Sequence, residues 1–172
     1  MEIRFLNPDD ASDWLRLRLE ALQGDPEAFS ASWEEYAELD LEEVKKRLGF
    51  EREDTFVAGA FDDGLLVGVA GFYREQGLKS RHKGHVWGVY VTPSHRGKGL
   101  ARQIMQVLID RAAKIRGVEQ VLLSVTTAQK NAGRLYRSLS FEAFGCEPRA
   151  LKIGERYIDE EYMMLRLAQP KT

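Results

Sequence analysis

Apolar positions along the 172 residues repeat with two different periods. Short runs rich in β-branched and aromatic residues predict strands at Glu2–Leu6, Thr55–Phe61, Leu65–Tyr73, His85–Val91, Gln120–Val125, Phe141–Lys152 and Tyr157–Leu167. Helical spacing takes over between them. Ala11, Leu15, Leu19 and Leu22 make one apolar face behind Asn7-Pro8-Asp9-Asp10, a helix start with a cap, an early proline and acids facing the dipole. Gly24-Asp25-Pro26 ends that helix, and a second helical region runs from about Trp33 to Leu48 with Leu41, Val44 and Leu48 on one side. A third runs from Gly97 to Arg116 with Leu100, Ile104, Val107, Leu108 and Ile115 facing a core, and a fourth from Lys130 to Leu139 carries Ala132, Leu135, Tyr136 and Leu139 in one stripe. Asp62-Asp63-Gly64 and Ile153-Gly154-Glu155 read as hairpin turns. This alternation predicts an α/β fold in one domain over residues 1–172: a mixed sheet of about seven strands covered by four helices.

Composition narrows the function classes. Lys and Arg number 25 against 27 Asp and Glu, and the resulting net charge of −2 argues against a general nucleic-acid binder. One cysteine, Cys146, excludes an intrachain disulfide and reads as a small buried residue, since no His or Asn partner string accompanies it. His82, His85 and His95 lack ligand spacing with carboxylates or cysteine, so no metal site is expected. No apolar run is long enough to span a bilayer and no signal-type segment is seen, which makes no membrane partner and a cytoplasmic location the expectation.

The chemistry concentrates at Val89-Tyr90-Val91-Thr92-Pro93-Ser94-His95-Arg96-Gly97-Lys98-Gly99-Leu100-Ala101-Arg102. A strand, a proline stop and a Gly-rich basic turn lead straight into a helix, whose first N–H groups lack intrahelical partners and favour an anion. Gly97 and Gly99 let a phosphate approach the main chain, and Arg96, Lys98 and Arg102 add positive charge. The turn is not a P-loop, because no G-x-x-x-x-G-K-[ST] string occurs, and Arg102 stands where a dinucleotide fingerprint needs its third glycine. An ordinary glycine turn before a core helix is the plain alternative.

Arg96, Gly99 and Ala101 match R-x-x-G-x-A, which resembles the Q/R-x-x-G-x-G/A pyrophosphate loop of the Gcn5-related N-acetyltransferase (GNAT) family. A second string, Gln129 to Phe141, resembles that family's N-x-x-A-x-x-L-Y-x-x-x-G-F motif, with Ala132, Leu135, Tyr136 and Phe141 in register. Gln129 replaces the usual Asn, with Asn131 close enough to substitute for it, and Ser140 replaces a Gly at a helix end where a left-handed residue is expected. The resemblance spans roughly Glu2 to Leu167 and implies a splayed sheet. It also implies transfer of an acetyl group from acetyl-CoA, the acyl-donor cosubstrate, to a primary amine of a small molecule or peptide by direct attack in a ternary complex. Gly97 to Arg102 would then hold the pyrophosphate, and the main chain of Val89 and Val91 the pantetheine arm beside a bulge at Gly88. Tyr136 would be the general acid, although its stripe also suits a core tyrosine. The base stays open among Glu27, Glu34, Glu35, His85 and water. The acids Glu34, Glu35, Glu38, Asp40, Glu42 and Glu43 fall where the family shapes its acceptor side, and family habit implies a homodimer. A non-catalytic acyl-CoA-binding or interaction module on the same fold is the rival reading.

Overall fold

A computed structural model describes residues 1–168. Seven strands form one sheet: β1 (Glu2–Phe5), β2 (Thr55–Asp62), β3 (Leu65–Arg74), β4 (Lys83–Val91), β5 (Gln120–Thr126), β6 (Glu142–Ile153) and β7 (Arg156–Arg166). Their spatial order is β1-β2-β3-β4-β5-β7-β6. All neighbours run antiparallel except β4 and β5, which are parallel. The helices are α1 (Ala11–Gly24), α2 (Glu34–Ala37), α3 (Leu41–Leu48), α4 (Leu100–Ala112) and α5 (Lys130–Ser138).

The sheet is covered on both faces. Ile104, Met105, Leu108 and Ala112 of α4 and Tyr136 and Leu139 at α5 close over Ala58, Val67, Phe72, Val121 and Met163 on one face. On the other, Trp14, Leu17 and Ala21 of α1 and Val44 and Leu48 of α3 pack on Val57, Leu66, Val69 and Tyr90. Burying a large apolar side chain contributes about 1.5–3 kcal/mol, so these two layers fix where the strands between them lie.

β4 carries the feature that opens the site. Val86 and Val91 both face the α4 layer although five residues apart, while Trp87 and Tyr90 both face the α1 layer. Odd spacings on one face require an extra residue between them. The register supplies it, because Val69 pairs with Tyr90 and Gly71 with Trp87. Three steps along β4 therefore match two along β3, with Gly88 at φ +62° inside the bulge. β4 and β5 pair only where Lys83–His85 meets Gln120–Leu122; beyond that they separate.

Several expectations are corrected. The buried face of α1 is Ala11, Trp14, Leu17, Arg18, Ala21 and Leu22, as expected for Ala11 and Leu22, whereas Leu15 and Leu19 are partly exposed because the large Trp14 takes the buried side. The predicted second helix is two, α2 and α3, separated because Asp40 caps α3 by accepting from the Glu43 N–H at 2.8 Å. Leu41, at the first position of α3, is exposed. The buried face of α4 takes in Met105, Ile109 and Ala112, which the sequence reading passed over, and the helix ends at Ala112. Cys146 is exposed on the edge strand β6, not buried, because β6 has no layer packed against its outer residues.

Ser140 adopts φ +68° after α5. Its N–H donates to the Arg137 carbonyl and the Phe141 N–H to the Tyr136 carbonyl, each at 3.0 Å, completing a Schellman cap. The cap seats Phe141 against Tyr136, with ring centroids 6.1 Å apart. A left-handed L-residue costs about 1–2 kcal/mol relative to glycine. Ser140→Gly should therefore stabilise the fold by about 1 kcal/mol, read as a higher urea midpoint with unchanged m; an unchanged or lower midpoint contradicts this.

Candidate active site

The split between β4 and β5 is the mouth of a groove of about 600 Å³. Its lining includes Val86 to Val91, the turn from His95 into α4, Leu123–Val125 of β5, and Gln129, Asn131, Ala132, Leu135 and Tyr136 around α5. Asp25, Ala28 and Phe29 close it on the α1 side.

At one end lies a row of main-chain donors. Gly97 and Gly99 have φ +77° and +75°, a conformation that glycine adopts without penalty, and it turns the chain into α4. The first bond of the helix is Gln103 N–H to the Gly99 carbonyl at 3.2 Å. Among the described residues, no carbonyl or side chain accepts from the N–H groups of Gly97 to Arg102. These six donors lie at the positive end of a 13-residue helix, an arrangement whose electrostatics favour an anion.

The basic side chains around this turn are differently employed. Arg96 donates through Nε to the Val91 carbonyl at 2.8 Å, pairs with Asp25 and lies 5.3 Å over the Tyr90 ring. It latches the turn to the end of α1. Arg102 reaches the Ser138 hydroxyl and carbonyl, tying α4 to α5. Among the described residues Lys98 makes no ion pair, and it does not line the groove. His95 does line it, but its Nε2 meets Asp62 at 3.0 Å and its Nδ1 lies near the Ser94 and Thr92 hydroxyls. The His95 hydrogen bond holds the Asp62 carboxyl below its usual range.

Tyr136 stands on the opposite wall. It is 6% exposed, and its hydroxyl has no partner among the described residues. Burial pushes its phenol above the ordinary value of 10. Val89, Val91, Leu100, Ala101 and Asn131 reach the same groove, so all the predicted site residues except Lys98 converge there. Asn131 is engaged by Arg134 on the α5 surface.

The acids proposed as bases scatter. Glu27 is held by Arg156, Glu35 accepts from the Ser32 N–H, and none of the cluster from Glu34 to Glu43 lines the groove. His85 is bonded to Glu75 at 2.7 Å at the paired end of β4. A carboxylate that the sequence reading missed is Glu160, which accepts from Ser124 Oγ at 2.9 Å, and Ser124 lines the groove. The signal was the position of Ser124, opposite a strand whose partner lay 36 residues away in sequence and out of reach of any local motif. Arg18 was missed as well, hidden in the apolar face of α1.

The split sheet thus carries a row of main-chain donors on one lip and a buried phenol on the other. The model of the acetyltransferase (GNAT) family matches residues 14–141, and the chain belongs to that family. An L-methionine sulfoximine/L-methionine sulfone acetyltransferase of Salmonella typhimurium is 30% identical over 107 residues, covering 62% of this chain and 61% of that protein. Across the first curated relatives the chain spans between 29% and 61% of their length. An acetyltransferase of the GNAT family from Streptococcus pneumoniae superposes with a TM-score of 0.86 at 22% identity, covering 96% of this chain and 99% of that one. A phosphinothricin acetyltransferase from Sinorhizobium meliloti, solved in complex with acetyl-CoA, gives 0.83 at 19% identity, over 96% and 88%.

Proposed function

We propose that the protein transfers an acetyl group from acetyl-CoA to a primary amine by direct attack within a ternary complex. The observation that carries this reading is the conjunction of six N–H donors and one buried phenol, all unpaired among the described residues, on opposite lips of a single groove. The binding of acetyl-CoA by a structural neighbour supports the donor, and relatives named for acetylating amino-acid derivatives support a small amine acceptor.

When bound, acetyl-CoA supplies the acetyl group as a thioester. Gly97 to Arg102 hold its pyrophosphate through main-chain N–H groups, while Arg96 keeps the turn in place through Asp25 rather than meeting the phosphates. Val89 and Val91, freed from β5 by the bulge, offer backbone groups to the pantetheine arm in the manner of an added strand. The acceptor arrives as an ammonium and must lose a proton before it attacks, since an alkyl amine of pKa about 10 is about one part in a thousand neutral at pH 7. Ser124 Oγ, bonded to Glu160, gives that proton an outlet from the groove floor. As the carbon–sulfur bond breaks, the Tyr136 hydroxyl donates to sulfur and recovers a proton from the acylated nitrogen. Its raised pKa keeps it protonated throughout the working range.

Gly99→Glu should weaken CoA binding at least about tenfold by titration calorimetry, through repulsion and loss of the left-handed turn. Lys98→Ala should change it no more than about twofold, since an exposed charge is screened. Equal effects would place the anion elsewhere. Tyr136→Phe should lower kcat about 100-fold with CoA affinity unchanged. In the wild-type protein kcat/KM should rise from pH 7 to pH 9 without an alkaline fall below about pH 10. Unaltered turnover in the phenylalanine variant removes the acid role, and CoA binding without thiol release from any amine leaves a binding module.

A further inference from the structure

Arg18 is 8% exposed, yet among the described residues its Nε and Nη1 have no hydrogen-bond partner and no carboxylate lies within ion-pair distance. A buried guanidinium without a counter-ion is costly, and a ligand that brings an anion to it offsets that cost. Its surroundings are aromatic: the guanidinium carbon lies 4.8 Å from the Phe29 ring centre and 5.0 Å from that of Tyr36. Burial lowers its pKa, and Tyr36 and the more distant Glu35 offset that only in part.

Its position gives the missing partner a place. The atom nearest to where a Gly88 side chain would stand is Arg18 Nη1, at 3.7 Å. Gly88 is the bulge residue that parts β4 from β5, and both Gly88 and Phe29 line the groove. The helices α4 and α5 cover the opposite face of the sheet, so Arg18 reaches Gly88 from the α1 side of the split.

We infer that Arg18 receives an anionic group of the acceptor, a carboxylate borne close to the amine, so that the substrate class is free α-amino acids. This rests on the acetyl-transfer reading above. A carboxylate paired with Arg18 beside Gly88 sets the neighbouring nitrogen at the split, and Phe29 and Tyr36 exclude water from the pair. Neutral amines of equal size lack the contact.

The test compares free L-amino acids with their amides, which keep the amine and remove the carboxylate, in the wild-type protein and in Arg18→Met and Arg18→Lys. The wild type should favour acid over amide by about 100-fold in kcat/KM. Arg18→Met should erase that preference through KM for the acid, with the amide and the KM for acetyl-CoA unchanged. Its melting temperature should equal or exceed that of the wild type, because it removes an uncompensated buried charge. Arg18→Lys should recover part of the preference. Equal rates on acid and amide in the wild type, or one loss shared by both acceptors in Arg18→Met, overturn the inference. So does acetyl-CoA binding with transfer to no free amino acid, which leaves the donor site standing. Failure to bind acetyl-CoA overturns the acetyl-transfer reading itself.

Discussion

One extra residue in β4 governs the molecule. Tyr90 and Trp87 are pinned by the α1 layer, and Val86 and Val91 by the α4 layer. Their spacings can all be satisfied only if the strand bulges at Gly88, and the bulge ends the β4–β5 ladder after His85. Parallel neighbours normally stay paired because unpaired backbone groups are costly when buried. Here the apolar packing of two layers outweighs the ladder bonds lost, and the result is a wedge lined by main-chain groups still free to bond.

The groove is then lined by groups that folding has left unfinished. Among the described residues, donors from Gly97 to Arg102 have no acceptor, the Tyr136 hydroxyl has no partner, and Arg18 has no counter-ion. Each faces or adjoins the same space. Neighbouring polar groups show the contrast, for Arg96, Arg102, His95 and Glu75 are all bonded within the fold. Glu75 is held down to about 2 by His85 and Lys83, as a structural carboxylate is. The groove thus combines groups that the described residues leave unpaired with charged side chains, Arg96, Arg102 and His95, whose bonds fix its walls.

Local chemistry in the chain was legible wherever one stretch of sequence contained it. The turn from Pro93 to Arg102 and the stripe ending at Phe141 each lie on one element and its cap, and both reach the groove. The left-handed residue expected after the last helix is found at Ser140. Alternation also located every strand to within a few residues. What escaped was set by tertiary competition. Trp14 rotated the buried face of α1, and with it carried Arg18 inward, a placement that no charge pattern suggests. Glu160 comes to Ser124 through a strand pairing between distant segments. The partner that Arg96 holds, Asp25, sits 71 residues earlier, beyond the reach of the local string.

The central claim is that backbone donors at the split sheet receive the pyrophosphate of an acetyl-CoA donor. Backbone amide resonances of residues 97–102, followed by NMR while CoA is titrated in, test it directly. The account predicts large downfield shifts and slowed hydrogen exchange confined to these amides and to those of Val89 and Val91, with β1 and β2 unmoved. Saturable binding that leaves residues 97–102 unshifted would contradict it.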